Sequence, residues 1–134
     1  MNRQRGMSSL AMVLLVLMLA GTILAGLNQQ LETFSALVRS ESQAMRERAG
    51  LQSSLEWGKV QRWSLEPELQ CRQASPPWRV CLRLLEEGNV LLIAGKGERR
   101  LWRSGHVIDG RVRFSPHGWS DFCPLKENAL CQLP

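Results

Sequence analysis

An uncharged apolar segment near the N-terminus limits what this chain can fold into more than any other feature. The 18 residues from Leu10 to Leu27 carry no charge, and the uncharged run is 21 residues long when it is counted from Met7. At about 1.5 Å per helical residue, such a helix spans roughly 27 to 31 Å, which matches the hydrocarbon core of a bilayer. The segment is therefore predicted to form a transmembrane helix.

A cleaved secretory signal is the main alternative for this segment. The apolar region of such a signal is normally only about 7 to 15 residues long and ends at a small-x-small cleavage site. The best small-residue site here, around Ala25 and Gly26, has Ile23 where a small residue is required. Arg3 and Arg5 precede the span, so the positive-inside rule places the N-terminus in the cytoplasm. We favour a retained, single-pass anchor over a secreted or periplasmic disulfide-stabilised domain with an ordinary cleaved signal peptide.

Four cysteines lie beyond the apolar segment, where about 105 residues are enough for one small domain. An even number of cysteines in a small extracytoplasmic domain predicts a disulfide framework in an oxidising compartment. Four cysteines allow three connectivities. The favoured one joins Cys71 to Cys81 and Cys123 to Cys131, because each pair brackets a short loop that contains proline.

The sequence that follows the apolar segment predicts a continuation of the same helix. No proline occurs between Gly6 and Pro67, and five acids and five bases cancel between residues 27 and 66. We expect one helix of roughly 60 residues that continues to residue 66, with Gly50 and Gly58 as the points where it would bend. Its apolar stripe recurs at helical intervals: Leu27, Leu31, Phe34, Val38, Met45, Ala49 and Leu55.

Beyond Pro67 the pattern changes to short strands separated by turn residues. The segments "RVCLRLLEE" and "NVLLIAG" flank Gly88-Asn89, which is a hairpin signal, and "RRLWRS" and "GRVRFSP" follow. A helix followed by strands, with no helices between the strands, predicts an α+β fold with an antiparallel sheet. The apolar stripe of residues 45 to 63 is expected to cover one face of this sheet.

No catalytic site, metal site or cofactor is predicted. The chain lacks a nucleophile elbow, a metal-ligand pair and a Gly-rich phosphate loop, and Asp109 and Asp121 have no neighbouring carboxylate. No CxxC motif occurs, and His106 and His117 lack metal-site spacing to the cysteines, so we expect both histidines to be exposed polar residues. Five tryptophans are assigned to the core and rim of the helix–sheet interface rather than to a binding groove: Trp57, Trp63, Trp78, Trp102 and Trp119.

The excess of positive charge lies in the C-terminal half of the chain. Residues 67 to 134 hold ten bases and seven acids, a net charge of +3. On one sheet face, arginines can contact the phosphates of DNA. The favoured alternative is a solvated sheet face or an edge strand protected by charge. Five arginines cluster on adjacent predicted strands: Arg99, Arg100, Arg103, Arg111 and Arg113.

The N-terminal sequence resembles the processing signal of type IV prepilins, in which a short basic leader ends in a glycine before an uncharged span. In that family, prepilin peptidase cuts after the glycine. The segment "MNRQRG" matches the leader, and Gly6 with Met7 matches the cleavage site. The resemblance implies that the leader is removed, that the apolar span is retained and that the mature chain begins with an N-methylated Met7.

The layout of the whole chain also resembles that of pilins, which have a long helix, an antiparallel sheet and a cysteine loop near the end. The segment "GRVRFSPHGWSDFC" is similar to the end region of pseudopilins and minor pilins. The implied organisation is a leader (residues 1–6), a transmembrane part of the helix (7–27), an amphipathic continuation of the helix (28–66) and a periplasmic β-rich head (67–134).

One position departs from the usual pilin pattern. Most type IV pilins have glutamate at the fifth mature position, where it is thought to pair with the N-terminal ammonium of a neighbouring subunit, but the fifth residue from Met7 here is Ala11. An unpartnered carboxylate is costly in lipid, so an apolar residue suits a subunit with no neighbour ahead of it. The alternative is plain tolerance in a span that need only be apolar. Loss of this glutamate resembles the K-class minor pseudopilin at the filament tip, although this chain has no room for the helical domain inserted in that class. It is more similar to the short enterobacterial prepilin-peptidase-dependent minor pilins.

The resemblance implies a non-enzymatic minor pilin or pseudopilin that helps to start a type IV pilus or a type II secretion-like filament. The implied partners are prepilin peptidase, membrane lipid, other minor pilins, the major pilin and the inner-membrane assembly platform. The implied location is the inner membrane, with a cytoplasmic N-terminus and a periplasmic head, and then the filament tip. A DNA-binding minor pilin for DNA uptake is the alternative. The helix contacts in the membrane and filament are assigned to Leu10, Ala11, Leu14 and Leu17.

Overall fold

The computed structural model contains one long helix followed by a five-stranded antiparallel sheet. The structure describes residues 2–134, apart from the side chains of Asn2, Arg3 and Arg5. The positive charges of the predicted leader therefore lie outside the described residues. In chain order the elements are α1 (Asn2–Lys59), β1 (Gln70–Gln73), β2 (Arg79–Leu84), β3 (Asn89–Lys96), β4 (Arg99–Ile108) and β5 (Arg111–Ser120). The predicted α+β class, with a long N-terminal helix, a small antiparallel sheet and a C-terminal disulfide, is confirmed.

The chain divides into two compact units, Met1–Ala44 and Met45–Pro134. We call residues 2–44 the helical segment and residues 45–134 the head. In the helical segment every side chain that the structure describes is exposed, apart from the half-buried Ser35 and Ser42. The head contains the last part of α1, the sheet and both disulfides.

The five strands form a meander in which each strand pairs with the next one in the chain. The hairpin predicted at Gly88-Asn89 joins β2 to β3. The turn between β4 and β5 consists of Asp109 and Gly110, which have φ angles of 52° and 72°. Two consecutive left-handed residues are what a two-residue hairpin loop of type I′ requires, and an Asp-Gly pair supplies them at low cost. The short strand β1 was not predicted.

Both faces of the sheet are covered. The helix face packs against α1, and its core includes Val80, Leu92 and Leu101 together with Leu51 and Leu55 of the helix. This cover is the one that the apolar stripe of α1 predicted.

The tail face lies on the opposite side and packs against the C-terminal tail, residues 121–134. Its core consists of Leu91, Ile93, Trp102 and Cys131. The indole Nε1 of Trp102 donates a hydrogen bond to the backbone oxygen of Cys131 at 3.1 Å, which holds the tail on the sheet. The head therefore has a second core that the sequence analysis did not predict.

The two glycines in the last part of α1 permit close packing. A Cβ at Gly58 would lie 2.5 Å from Cγ1 of Val80, and a Cβ at Gly50 would lie 2.6 Å from Nε1 of Trp78. Such distances are too short for real carbon contacts, so the sheet reaches the helix only because these positions lack side chains. The helix α1 continues through both residues.

The helix ends at Lys59, and the prediction that it continues to residue 66 is wrong. The indole Nε1 of Trp63 turns back and donates to the carbonyl oxygen of Gly58 at 2.8 Å, so it satisfies one of the carbonyls left free at the helix C-terminus. The guanidinium of Arg72 lies 4.8 Å from the centroid of the Trp63 ring and donates to the carbonyl oxygen of Arg62. These contacts within the head end the helix earlier than the periodicity of its residues indicates.

The residues that cover the helix face also differ from the predicted stripe. Leu55 of that stripe is buried as predicted, but Met45 is 69% exposed and Ala49 is exposed. Leu51, which the predicted stripe did not include, is buried. Small residues complete this cover of the helix face. Ser54 is buried there, and its hydroxyl donates to the carbonyl oxygen of Gly50.

Candidate functional site

The first part of α1 presents an apolar surface to its surroundings. Leu10, Leu14 and Leu17 are 61%, 53% and 62% exposed, and Ala11 is exposed as well. By length and composition, α1 is apolar enough to cross a membrane. The four residues assigned to membrane and filament contacts therefore lie on a surface that the described chain does not cover.

The predicted cleavage site, Gly6 and Met7, lies within α1. Met7 is 72% exposed, and a Cβ at Gly6 would meet no atom within 4 Å. Packing within the described chain therefore gives no reason for a glycine at this position, in contrast to Gly58.

The exposed apolar surface continues past the predicted membrane span. Leu31 and Phe34 are 66% and 63% exposed, and Val38 is 46% exposed. Polar side chains between them bond to the backbone of the helix itself, as Thr33 does when its hydroxyl donates to the carbonyl oxygen of Gln29. The helix therefore satisfies these hydroxyl groups internally and leaves its apolar side chains without cover from the described chain.

The two disulfides lie in the short edge strand and in the C-terminal tail of the head. One joins Cys71 of β1 to Cys81 of β2, and the other joins Cys123 to Cys131 within the tail. This is the pairing that the two proline-containing loops favoured. The first disulfide holds the short edge strand, and the second constrains the segment that covers the tail face.

The sheet divides the predicted arginine cluster between two faces. Arg99 and Arg103 lie on the helix face, where each forms an ion pair with a carboxylate of α1, namely Glu47 and Glu56 respectively. Arg103 is only 9% exposed, and it also donates to the backbone oxygen of Pro116. Side chains alternate between faces along β4, so the five arginines do not share the single face that the DNA-binding alternative would use.

The other three arginines of the cluster, Arg100, Arg111 and Arg113, lie on the tail face. The register of β2 adds Arg79 and Arg83 to this face, and the sequence analysis missed both. Arg79, Arg111 and Arg113 are exposed, while Arg83 and Arg100 are half-buried. None of the twelve acidic residues of the chain lies on a strand. The alternation within "RVCLRL" and "RRLWRS" was the signal that could have separated the two sets of arginines.

The described residues contain no group of three or more His, Cys, Asp or Glu side chains that could hold a metal ion. His106, His117, Asp109 and Asp121 are all exposed. An open cleft lies beside the β3–β4 turn, with Trp78 in its wall and charges of both signs around it.

The tryptophans occupy both the core and the rim of the head. Trp78 and Trp102 are buried, Trp63 is half-buried, and Trp57 and Trp119 are exposed. Trp102 belongs to the core beneath the tail and not to the helix–sheet interface, where it was expected.

Comparison with known proteins identifies one family. The model of a family described as "Protein of unknown function (DUF2509)" matches residues 15–131, which is most of the chain. No curated protein and no solved structure matches the sequence.

Proposed function

The chain belongs to the DUF2509 family, and we propose that it is a minor pilin or pseudopilin that helps to start a type IV pilus or a type II secretion-like filament. The observation that carries this proposal is the exposed apolar surface of α1, which extends from Met7 to Val38. A continuous apolar surface of this size requires lipid or other helices as its cover. A filament subunit meets both in turn, first in the membrane and then in the helical core of the filament.

In the proposed sequence of events, prepilin peptidase removes the leader after Gly6, and Met7 becomes the methylated N-terminus. The subunit then waits in the inner membrane, with its N-terminus in the cytoplasm and its head in the periplasm. Leu10, Leu14 and Leu17 exchange lipid contacts for contacts with the helices of other minor pilins and the major pilin at the assembly platform. Because the exchange replaces one apolar environment by another, it is driven by close packing between helices and not by removal from water.

The head selects the neighbours in this proposal. Its two disulfides suit an oxidising compartment such as the periplasm. The sheet of the head has a packed core on each face. Contacts between the heads of adjacent subunits would set the stagger between them, and staggered helices are what the first turn of a filament needs as a template.

Ala11 supports a position at the filament tip. A glutamate at this position would need a cationic partner in lipid, and the ammonium group of a subunit ahead is the available one. A subunit at the tip has no such neighbour, so an apolar side chain avoids an unpaired carboxylate.

DNA binding is less well supported as a function than filament initiation. Two of the five arginines on which it depended form ion pairs with Glu47 and Glu56. Their charge is already compensated by carboxylates of α1. A DNA-binding surface would have to use the arginines of the tail face, and its affinity would fall steeply between low and moderate salt.

The proposal is tested by Ala11→Glu in a strain that lacks the native copy. Membrane insertion should survive, since one carboxylate in the span costs about 2 to 3 kcal/mol on insertion scales. The variant can pair with a subunit ahead, so immunogold labelling along sheared filaments should rise while the number of filaments per cell falls. Ala20→Glu is the matched control, because it adds the same group nine residues further along α1, away from the N-terminal ammonium. Unchanged filament number and an unlabelled shaft for Ala11→Glu would contradict the tip assignment.

A further inference from the structure

The outer edge of β5 has no partner strand within the described chain. The strand order places β1 and β5 at the two edges of the sheet. β1 has only four residues and is tied to β2 by a disulfide, whereas β5 has ten residues. Along an edge strand, alternate backbone N–H and C=O groups point away from the sheet and can pair with another strand. β5 therefore offers the longer free hydrogen-bonding edge of the head.

The first four residues of β5 form the regular part of this edge. Val112 and Phe114 lie on the helix face, where they pack against its core, and Arg111 and Arg113 lie on the tail face, where both are exposed. The register shift opposite Arg103 and Gly105 follows, and Pro116 lacks a backbone donor. Residues 111–114 thus present two cations on one side of the strand and two apolar side chains on the other.

The neighbours of the two arginines make the tail side of this edge more basic. His106 of β4 is paired directly with Arg113 and lies on the same face. Asp109 is the nearest acid along the chain, and within the described residues it forms no ion pair within 4 Å with Arg111 or Arg113. The two exposed guanidinium groups therefore have no carboxylate partner in the described chain.

We propose that residues 111–114 are a docking strand for an extended segment of another protein that carries acidic residues at alternate positions. In a strand added to β5, residues two apart face the same side of the sheet, so carboxylates at positions i and i+2 would lie opposite Arg111 and Arg113. The residue between them would lie beside Val112 and Phe114 and extend the core of the helix face. The recognised pattern is acidic–apolar–acidic, and the backbone hydrogen bonds supply the rest of the affinity.

A second copy of this chain does not fit the same edge. Antiparallel pairing of residues 111–114 with themselves places arginine opposite arginine, and like charges directly opposite each other are destabilising. The net charge of +3 on residues 67–134 also opposes self-association. Arginines at this edge therefore protect the sheet against another copy and at the same time favour an acidic strand, which is how charge produces specificity.

The test uses the full chain in detergent micelles and a labelled ten-residue peptide of alternating glutamate and valine with blocked ends. The peptide should bind in fluorescence anisotropy and slow the hydrogen exchange of amides in residues 111–114. Arg111→Glu with Arg113→Glu should weaken binding roughly tenfold, because two favourable cross-strand pairs become repulsive. Arg39→Glu with Arg48→Glu changes the net charge equally on exposed sites of α1 and should leave binding unchanged. A lysine–valine peptide should bind the Arg111→Glu/Arg113→Glu variant better than the native chain.

Two N-methylated peptides separate strand addition from simple charge attraction. One carries methyl groups on its odd amides and the other on its even amides, so only one of them blocks the amides that face β5. Loss of binding for one peptide and not the other supports the proposal. Equal binding of both would overturn it, as would a DNA duplex that binds the same arginines more tightly than the peptide. A dimer of the native chain that dissociates in the Arg111→Glu/Arg113→Glu variant would also overturn it, because a second copy would then be the occupant.

Discussion

Two stretches of α1 have the same secondary structure and opposite surroundings. Between Met7 and Val38, the large apolar side chains are 46% to 73% exposed. In the last part of the helix, Leu51 and Leu55 are 6% and 1% exposed because the sheet of the head covers them. An apolar composition therefore does not show whether a helix surface is covered by its own chain. The cover of the second stretch lies within the chain, whereas no described residue covers the large apolar side chains of the first.

The glycines of the two stretches show the same difference. A Cβ at Gly21 or Gly26 would meet no atom within 4 Å, whereas a Cβ at Gly58 would collide with Val80. In the head, a glycine is a requirement of packing. In the helical segment, no contact within the described chain requires one.

The largest effect that separates the two stretches is expected from leucine truncation. Leu55→Ala removes a fully buried side chain and should lower the free energy of unfolding of the head by about 2 to 5 kcal/mol. Leu31→Ala removes the same atoms from an exposed site and should leave it unchanged. Denaturant unfolding of the full chain in micelles, followed by tryptophan fluorescence, measures both values. A comparable loss for Leu31→Ala would mean that the helical segment contributes to the folding of the head.

The class of the fold followed from a change of period along the chain, but several of its details did not. The end of α1 depends on contacts of Trp63 with Gly58 and Arg72. These contacts involve irregular backbone beyond the helix, so they leave no periodic signal in the sequence. The predicted apolar stripe of α1 was only partly correct. The closest approach between α1 and the sheet uses Gly58 and Ser54, and neither residue belongs to a pattern of large apolar side chains.

The candidate sites show the same limit. Gly6 and Met7 were assigned from the resemblance of the N-terminal sequence to prepilins, and the structure places them, like the four residues of the apolar span, on exposed helix. The arginine cluster was defined by residues that are close together in the sequence, but the register of the sheet decides which arginines share a face. Arg103 could be assigned to the helix face only once the strand pairing and its carboxylate partner, Glu56, were known.

The C-terminal tail provides a second test of how the chain covers its own apolar side chains. Replacing Cys123 and Cys131 by serine should destabilise the head by about 2 to 3 kcal/mol, which is the loop-entropy value for so short a loop. The loss should be accompanied by a red shift of tryptophan emission, since the tail covers Trp102. Replacing Cys71 and Cys81 should cost a similar free energy without exposing Trp102.

Non-reducing peptide mapping of the native chain checks the premise of that comparison. It should recover Cys71 with Cys81 and Cys123 with Cys131. A peptide that links Cys81 to Cys123 would contradict this account of the tail.

The smallest effect is expected from the ion pairs between α1 and the sheet. Glu56→Gln should lower the free energy of unfolding by up to about 1 kcal/mol, because its partner Arg103 is buried and only the glutamate faces solvent. Glu47→Gln should change it by less than about 0.5 kcal/mol, since its partner Arg99 is largely exposed. The two variants are compared by the same unfolding measurement at low salt. A larger loss of unfolding free energy for Glu47→Gln would contradict the expectation that the more buried ion pair contributes more to stability.

The most direct test of the proposed function is the N-terminus of the mature chain. A minor pilin or pseudopilin must retain the apolar stretch of α1 and lose only the leader. Mass spectrometry after co-expression with a prepilin peptidase should therefore find a chain that is six residues shorter and begins at Met7. Gly6→Val should block this cleavage, whereas Gly26→Val should not affect it. A mature N-terminus near Gly26 would show that the apolar stretch is a discarded signal, and it would contradict both the membrane anchor and the filament subunit.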